Sequence, residues 1–273
     1  MKVRFWGVRG SIPVPGADTV RSGGNTSCVE IQSADREVLI LDAGTGIRLL
    51  GLDLDRRPVD RLVAVLLFSH THWDHIQGLP FFSPARLRNN RLVIMGGHRV
   101  GRHLEQVLAG QMADAYLPFT FEDLKADLLI KEVHDGERIV VGNSMSVLPC
   151  QLTHPGGVFG YRIRCQDKVV VYATDVGHLA DGLDSRIVEL ARDADLLIHD
   201  AHFTRRERSE RPDWGHSSWE EAVQTALQAG VRRLALFHHD PMRTDAELDE
   251  IEIQAQAMFA GTFLAREGME ITI

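Results

Sequence analysis

Apolar residues recur along this chain with two periods. Unbroken runs such as Leu62-Val63-Ala64-Val65-Leu66-Leu67-Phe68 read as strands buried on both faces. Runs of this kind predict strands at 2–8, 28–33, 37–42, 62–68, 91–95, 145–153, 158–165, 168–173, 195–199, 233–238 and 269–273. Helical spacing predicts helices at about 74–80, 102–112, 184–193, 217–229 and 244–260. Ser217 and Glu220 have the spacing of a capping box, and Gly230 sits where that helix should stop. Thr244 and Glu247 repeat the box for the last helix. The alternation of strands and helices predicts a mixed α/β fold. No low-complexity linker or short repeat divides the chain, so one domain over 1–273 is expected.

The polar residues that matter sit at the ends of the apolar runs. The run ending at Phe68 leads into His70-Thr71-His72-Trp73-Asp74-His75. Open α/β folds place their sites at such C-terminal strand ends. Neutral imidazole and carboxylate are ligands that Zn²⁺, Mn²⁺ and Fe²⁺ accept. His70 and His72 are two apart and can converge on one ion. Asp74 and His75 follow as the chain turns toward a helix, where they can face a second.

The pattern H-x-H-x-D-H resembles the signature of the metallo-β-lactamase superfamily, and the resemblance extends from Met1 to about His239. It requires a further His, then an Asp, then a last His, each after its own strand. Here Met145–Thr153 leads to His154, Lys168–Thr174 to Asp175, and Arg233–Phe237 to His238. The resemblance implies a four-layer αββα sandwich. It also implies one ion on His70, His72 and His154 and another on Asp74, His75 and His238, with Asp175 bridging. Alignment of Phe237-His238-His239-Asp240-Pro241 favours His238 over His239 as the last ligand. Asp42 stands where the family keeps a carboxylate that supports the ligands; the alternative is a turn Asp before glycines. Two divalent ions follow, with Zn²⁺ the first choice and Mn²⁺ the alternative, since the set has no thiolate.

Other residues select the reaction. Trp214-Gly215-His216-Ser217-Ser218 resembles the H-S-T motif of the family's phosphodiesterase branch, which includes tRNA 3′-processing endonucleases, PhnP-type enzymes and cyclic-nucleotide phosphodiesterases. His199-Asp200-Ala201-His202-Phe203 resembles that branch's H-E-A-T-F, with the Glu shortened to Asp200. By that resemblance a metal-bridging hydroxide attacks, His216 is the general acid, Asp200 orients it, and Asp74 holds the second ion and orients the attacking water. His199 and His202 are expected to be structural or to support the ligands rather than to bind metal, and His98, His103, His134 and His178 have no motif support. The endonucleases carry a long arm between the third-motif His and the bridging Asp. Only 21 positions separate His154 from Asp175, and a hairpin fills them.

Composition refines this picture. The apolar fraction is 44%, the charged fraction 25% and the net charge −8, so no general nucleic-acid surface is expected. The N-terminus lacks a signal-peptide run and no stretch is long enough to span a membrane. Cys28, Cys150 and Cys165 show no paired framework, which fits a cytoplasmic protein. The segments Phe5–Pro13 and Gly23–Cys28 resemble a bacterial subgroup near enzymes that open cyclic nucleotides. There Arg9 and the amides of Gly23 and Gly24 meet a phosphate or ribose, or the glycines only permit a turn. The aromatics of Gln111–Phe119 line the site, a subunit contact or the core. The expectation is a dinuclear phosphodiesterase acting on a small phosphodiester, a cyclic nucleotide first, with no structured RNA as substrate. The branch also suggests a homodimer. The alternatives are a lactone or thioester hydrolase and a non-catalytic nucleotide-binding protein.

Overall fold

The computed structural model describes residues 1–97, 101–178 and 182–273. The N-terminal part supplies β1 (Lys2–Gly7), β2 (Cys28–Gln32), β3 (Val38–Leu41), α1 (Ile47–Leu54), β4 (Val63–Phe68), α2 (Trp73–Ile76), β5 (Arg91–Gly96), α3 (Leu104–Gly110) and β6 (Asp127–Glu132). Then come β7 (Ile139–Val141), β8 (Met145–Leu152), β9 (Val158–Cys165), β10 (Lys168–Ala173), α4 (Ser185–Ala191), β11 (Leu196–Asp200), α5 (Arg205–Glu210), α6 (Trp219–Ala229), β12 (Leu234–Phe237), α7 (Asp245–Met258), β13 (Thr262–Leu264) and β14 (Glu270–Thr272). Among the described residues the strands form two seven-stranded sheets. Their orders are β14-β1-β2-β3-β4-β5-β6 and β13-β12-β11-β10-β9-β8-β7.

Side-chain parity along the strands makes the layers. In β3, Leu39 and Leu41 enter the core between the sheets, while Val38 and Ile40 face the helices of the first sheet. In β10, Val170 and Tyr172 point to the other sheet, and Val169, Val171 and Ala173 pack under the helices of the second. A strand with two buried faces needs an unbroken apolar run, which is the pattern seen in the sequence. Three apolar cores therefore separate four layers, helix, sheet, sheet and helix. This is the four-layer αββα sandwich that the resemblance implies.

Strand direction gathers the site. β3, β4, β5 and β6 are mutually parallel, as are β10, β11, β12 and β13. β8 lies two antiparallel steps from β10 and so runs with it. The polar residues that follow β3, β4, β8, β10, β11 and β12 thus emerge at one end of the sandwich.

The five helices expected are α2, α3, α4, α6 and α7, with ends shifted by a few residues. The capping box of α6 falls one residue later than the sequence suggests. Ser218 and Glu221 close it, because Ser217 is drawn elsewhere: its hydroxyl donates to the Val176 carbonyl and its N–H to Asp200. The box of α7 on Thr244 and Glu247 is as expected. Helix α5 and strands β6, β7 and β13 carry no clear period in the sequence, and the short α1, which buries Ile47, Leu50, Gly51 and Leu54 at helical spacing, was not among the expected helices. No helix of the described residues is long and apolar enough to cross a membrane. His98 lies outside the described residues.

Candidate metal centre and catalytic pair

Three residues at the strand ends adopt left-handed backbone conformations, Asp42 (φ 60°), Asp175 (φ 51°) and His238 (φ 59°). Asp and His tolerate this region better than most residues. Each sharp turn halts a strand and presents one polar side chain to the seam between the sheets.

Among the described residues, three groups of side chains that could hold an ion meet there; one is His202, His216 and His238, and the other two share Asp175. The first of that pair is His70, His72, His154 and Asp175; the second is Asp74, His75, Asp175 and His238. In each group the ligand-type atoms lie within 4.8 Å of one another. Asp175 joins the pair. Its Oδ1 lies 3.7 Å from His70 Nε2 and 4.0 Å from His154 Nε2, and its Oδ2 lies 3.1 Å from His75 Nε2 and 3.2 Å from His238 Nε2. Asp74 Oδ2 is 3.2 Å from His75 Nε2 and 3.1 Å from His238 Nε2. His239 is elsewhere: it donates from Nε2 to the Ala265 carbonyl, and burial pushes it down to about 3. His238 is therefore the histidine that faces the cluster.

The ring tautomers follow from the far sides of the rings. His154 Nδ1–H donates to the Gly215 carbonyl at 2.9 Å, and His70 Nδ1 lies 3.1 Å from Ser69 Oγ. His75 Nδ1–H donates to Asp42 at 2.8 Å. Asp42 also accepts from the Ser69 N–H, the Ser69 hydroxyl and the Tyr172 hydroxyl, all at 2.7–2.8 Å. The Nε2 atoms of His70, His75 and His154 are left as lone-pair donors facing inward. His75 Nε2 is buried between carboxylate oxygens of Asp74 and Asp175, and three ring nitrogens converge where His72 Nδ1 meets His70 Nε2 at 2.8 Å and His154 Nε2 at 3.2 Å. One shared proton cannot satisfy three nitrogens, whereas a cation can. These His and Asp groups are able to hold divalent metal ions.

The electrostatics agree with a cation-ready site. Burial opposes ionisation of Asp74, yet His75 and His238 outweigh it and hold the carboxyl well below its usual range. Burial likewise disfavours protonated His238, but Asp175, Asp200 and Asp74 push it up to about 10. Burial and then His75 drive His70 the opposite way.

Beside the cluster, His216 Nδ1 lies 2.9 Å from Asp200 Oδ2. The shortened carboxylate therefore still reaches the imidazole. Backbone N–H groups of Asp175, His202 and Ser217 donate to Asp200 at 3.0–3.2 Å and lock it in place. His216 stacks on His202 with 4.4 Å between centroids and sits 5.6 Å from the His154 ring. His202 takes the second of the two places the sequence offered, packing against His216 and His238 in support of the cluster. Its Nδ1 donates to the His238 carbonyl, at 3.0 Å.

Residues of the first loop also reach the site. Ser11 N–H donates to Asp74 Oδ2 at 2.8 Å, and a Cβ on Gly10 would collide with the rings of His238 and His202. Nothing in a turn sequence signals such contacts. Arg9, by contrast, is not available to a phosphate. It is fully buried, and its guanidinium donates to the Gly23, Asp240 and Arg243 carbonyls and to Ser22 Oγ. A Cβ on Gly24 would strike the Val14 carbonyl, so that glycine permits close chain packing. His178 and His199 stack on each other, 5.8 Å apart, away from these groups.

Residues 36–239 match the beta-lactamase superfamily domain. The chain belongs to the metallo-β-lactamase superfamily. Within it, the chain is 42% identical to the ribonuclease Z of Gemmatimonas aurantiaca, covering 99% of this chain and 95% of that protein. That alignment runs over 324 positions against 273 residues, so at least 51 positions of the relative have no counterpart here. Two solved structures share the fold. A new diphosphatase from the PhnP family has a TM-score of 0.74 at 20% identity, covering 100% of this chain and 97% of that one. The metallo-beta-lactamase fold protein YhfI from Bacillus subtilis has a TM-score of 0.73 at 21% identity, covering 99% and 98%. The superfamily member described here falls in the phosphodiesterase branch and is a metal-dependent hydrolase.

Proposed function

We propose that this hydrolase is a dinuclear phosphodiesterase of small substrates, with a cyclic nucleotide as the leading candidate. The reading treats 1–273 as one domain, whose site both sheets supply. His70, His72, His154 and Asp175 would hold one ion; Asp74, His75, His238 and Asp175 the other. Divalent ions at such a site supply an acidified water and positive charge for the phosphoryl oxygens.

The pair His216–Asp200 carries the reaction class. Breaking a phosphodiester expels a sugar alkoxide, a poor leaving group that needs a proton. Asp200 accepts from Nδ1–H of His216 and fixes the ring, which leaves Nε2 to deliver the proton. Lactone and thioester hydrolysis has no need of this arrangement. Asp74, tied by the Ser11 amide, would keep its second oxygen for positioning the attacking water.

The β9–β10 hairpin bears on substrate size. Strands β9 and β10 join through Gln166 and Asp167, and they occupy nearly all of the interval from His154 to Asp175. The absence of a long segment in that interval supports a small substrate. The 42% identity to the relative named ribonuclease Z nevertheless favours RNA processing as a second reading. A cytoplasmic setting fits the three free cysteines.

Metal-loaded protein should be assayed on 2′,3′- and 3′,5′-cyclic nucleotides, bis(p-nitrophenyl) phosphate, a precursor tRNA, lactones and thioesters. The proposal expects cyclic nucleotides to give the highest kcat/KM. Preference for precursor tRNA, or turnover of acyl substrates alone, would overturn it.

A further inference from the structure

A cavity of about 450 Å³ opens beside the metal cluster, between α2 and α3. Its wall is continuous with the ligand loop. Thr71 and Trp73 line it, alternating in sequence with His70, His72 and Asp74. The short turn of α2 explains this division: Asp74 and His75 are buried toward the His and Asp cluster, and Trp73 is left 75% exposed. Among the described residues four Phe, Tyr or Trp side chains are exposed, Trp73, Phe81, Tyr116 and Trp214, and the first three border this one cavity. Phe81 is braced edge-to-face on Phe119 at 6.0 Å, and Arg86 covers Phe119 at 4.1 Å. The aromatic wall is therefore stiff at that end.

A second observation points to a ligand. Gln111, at the end of α3, also lines the cavity, and its amide Nε2 is buried without any hydrogen-bond partner. A buried amide donor left unmatched is costly, and the Gln111 side chain, part-buried as a whole, can turn its carboxamide to meet an acceptor in the cavity. A planar molecule with in-plane acceptors would supply one while stacking on the aromatics. Nucleobases have both properties, and the carboxamide of Gln pairs naturally with the adjacent donor and acceptor of adenine. The volume is in the range of small-ligand sites.

We propose that this cavity is the nucleobase subsite of the enzyme, with Trp73 and Tyr116 stacking on the base and Gln111 reading its edge, adenine being the preferred base. The inference rests on the nucleotide phosphodiesterase reading and adds to it where the base goes. The scissile phosphate lies at the metal cluster, and the sugar bridges past Thr71.

Two measurements test it. The first compares kcat/KM for adenosine 2′,3′-cyclic phosphate with that for ribose 2,3-cyclic phosphate, which lacks the base. The wild type should favour the nucleotide, and Trp73→Ala and Gln111→Leu should each reduce that ratio on the order of 10-fold, the worth of a base stack. The second is equilibrium binding of AMP and of ribose 5-phosphate to the metal-loaded protein. AMP should bind at least about 10-fold more tightly, and Trp73→Ala should erase the difference. This second measurement stands even if no phosphodiester is hydrolysed, so failure of the catalytic reading is seen separately. Equal affinity of the wild type for AMP and ribose 5-phosphate overturns the subsite. So does a Trp73→Ala protein that changes oligomeric state while slowing both substrates equally, since the aromatics would then be a subunit contact.

Discussion

Replacing Asp42 by Asn exchanges one oxygen for an NH₂ group, and its consequences follow from four hydrogen bonds. Asp42 is fully buried, and it accepts from Ser69 N–H, Ser69 Oγ, Tyr172 Oη and His75 Nδ1. The Asn oxygen can keep the Ser69 N–H. The two hydroxyls can rotate to accept from the new NH₂. His75 cannot adapt in that way while Nδ1 carries the proton, because two donors would then face each other. The escape is a tautomer switch that moves the proton to Nε2, the atom aimed at Asp74 and Asp175. A protonated Nε2 cannot ligate a metal. Asp42→Asn should therefore stay folded and lose about 10- to 100-fold in affinity at the His75 ion, the usual cost of removing such a support. Asp42→Ala is more severe. It strands two obligatory donors, Ser69 N–H and His75 Nδ1–H, at about 1–3 kcal/mol each. A loss of roughly 2–6 kcal/mol is a large part of the stability of an ordinary domain, about 5–15 kcal/mol. Metal titration against a competing chelator reads the first effect and urea unfolding the second. An Asp42→Asn protein that binds both ions as tightly as wild type would refute the tautomer argument.

Elemental analysis should find two divalent transition ions per chain, with Zn²⁺ expected and Mn²⁺ the alternative, and a single ion would remove the bridging role of Asp175. Loading near neutral pH should release protons, because His238 is held up to about 10 in the metal-free protein by neighbours that outweigh burial; its stabilisation of that metal-free form is complete below 6.5 and is lost as pH rises through about 10. Calorimetry in buffers of different ionisation enthalpy would show the release. Asp74→Ala should abolish turnover while circular dichroism shows an intact fold, and near-wild-type activity in the metal-replete variant would exclude the role given to this carboxylate. Light scattering should give a dimer of the 30.5 kDa chain, and a monomer at micromolar concentration would contradict that.

The strand ends were the legible part of the sequence. Where a strand is buried on both faces, as β4 and β10 are, the apolar run stops abruptly and the first polar residues lie at the seam. His70 was visible for that reason, whereas His154, Asp175 and His238 were found because the family resemblance implies a His, an Asp and a last His after later strands; β8, which leads to His154, alternates buried and exposed positions. Short edge strands such as β7 and β13, three residues each, have too few positions to show a period. Helix α1 contains Gly51, which packs on Ser83, Phe82 and Pro84 and lowers the local helical signal. The capping box of α6 slipped because Ser217-Ser218-Trp219-Glu220-Glu221 allows two phases, and only the claim of Asp200 on Ser217 decides between them. Arg9 reads as a free cation in the sequence. Its enclosure by carbonyls from residues 23, 240 and 243 is a long-range property that no local pattern carries.

The most direct test of phosphodiester chemistry is the leaving-group dependence of His216→Ala. Turnover of a nucleotide ester should fall about 10²- to 10⁴-fold, the usual worth of general acid catalysis. For a p-nitrophenyl ester of the same phosphate, whose leaving group needs little protonation, the loss should shrink toward unity, with metal content unchanged in both cases. Equal losses on the two esters would contradict the role of His216 as the acid, and with it the pairing with Asp200 on which the phosphodiesterase assignment rests.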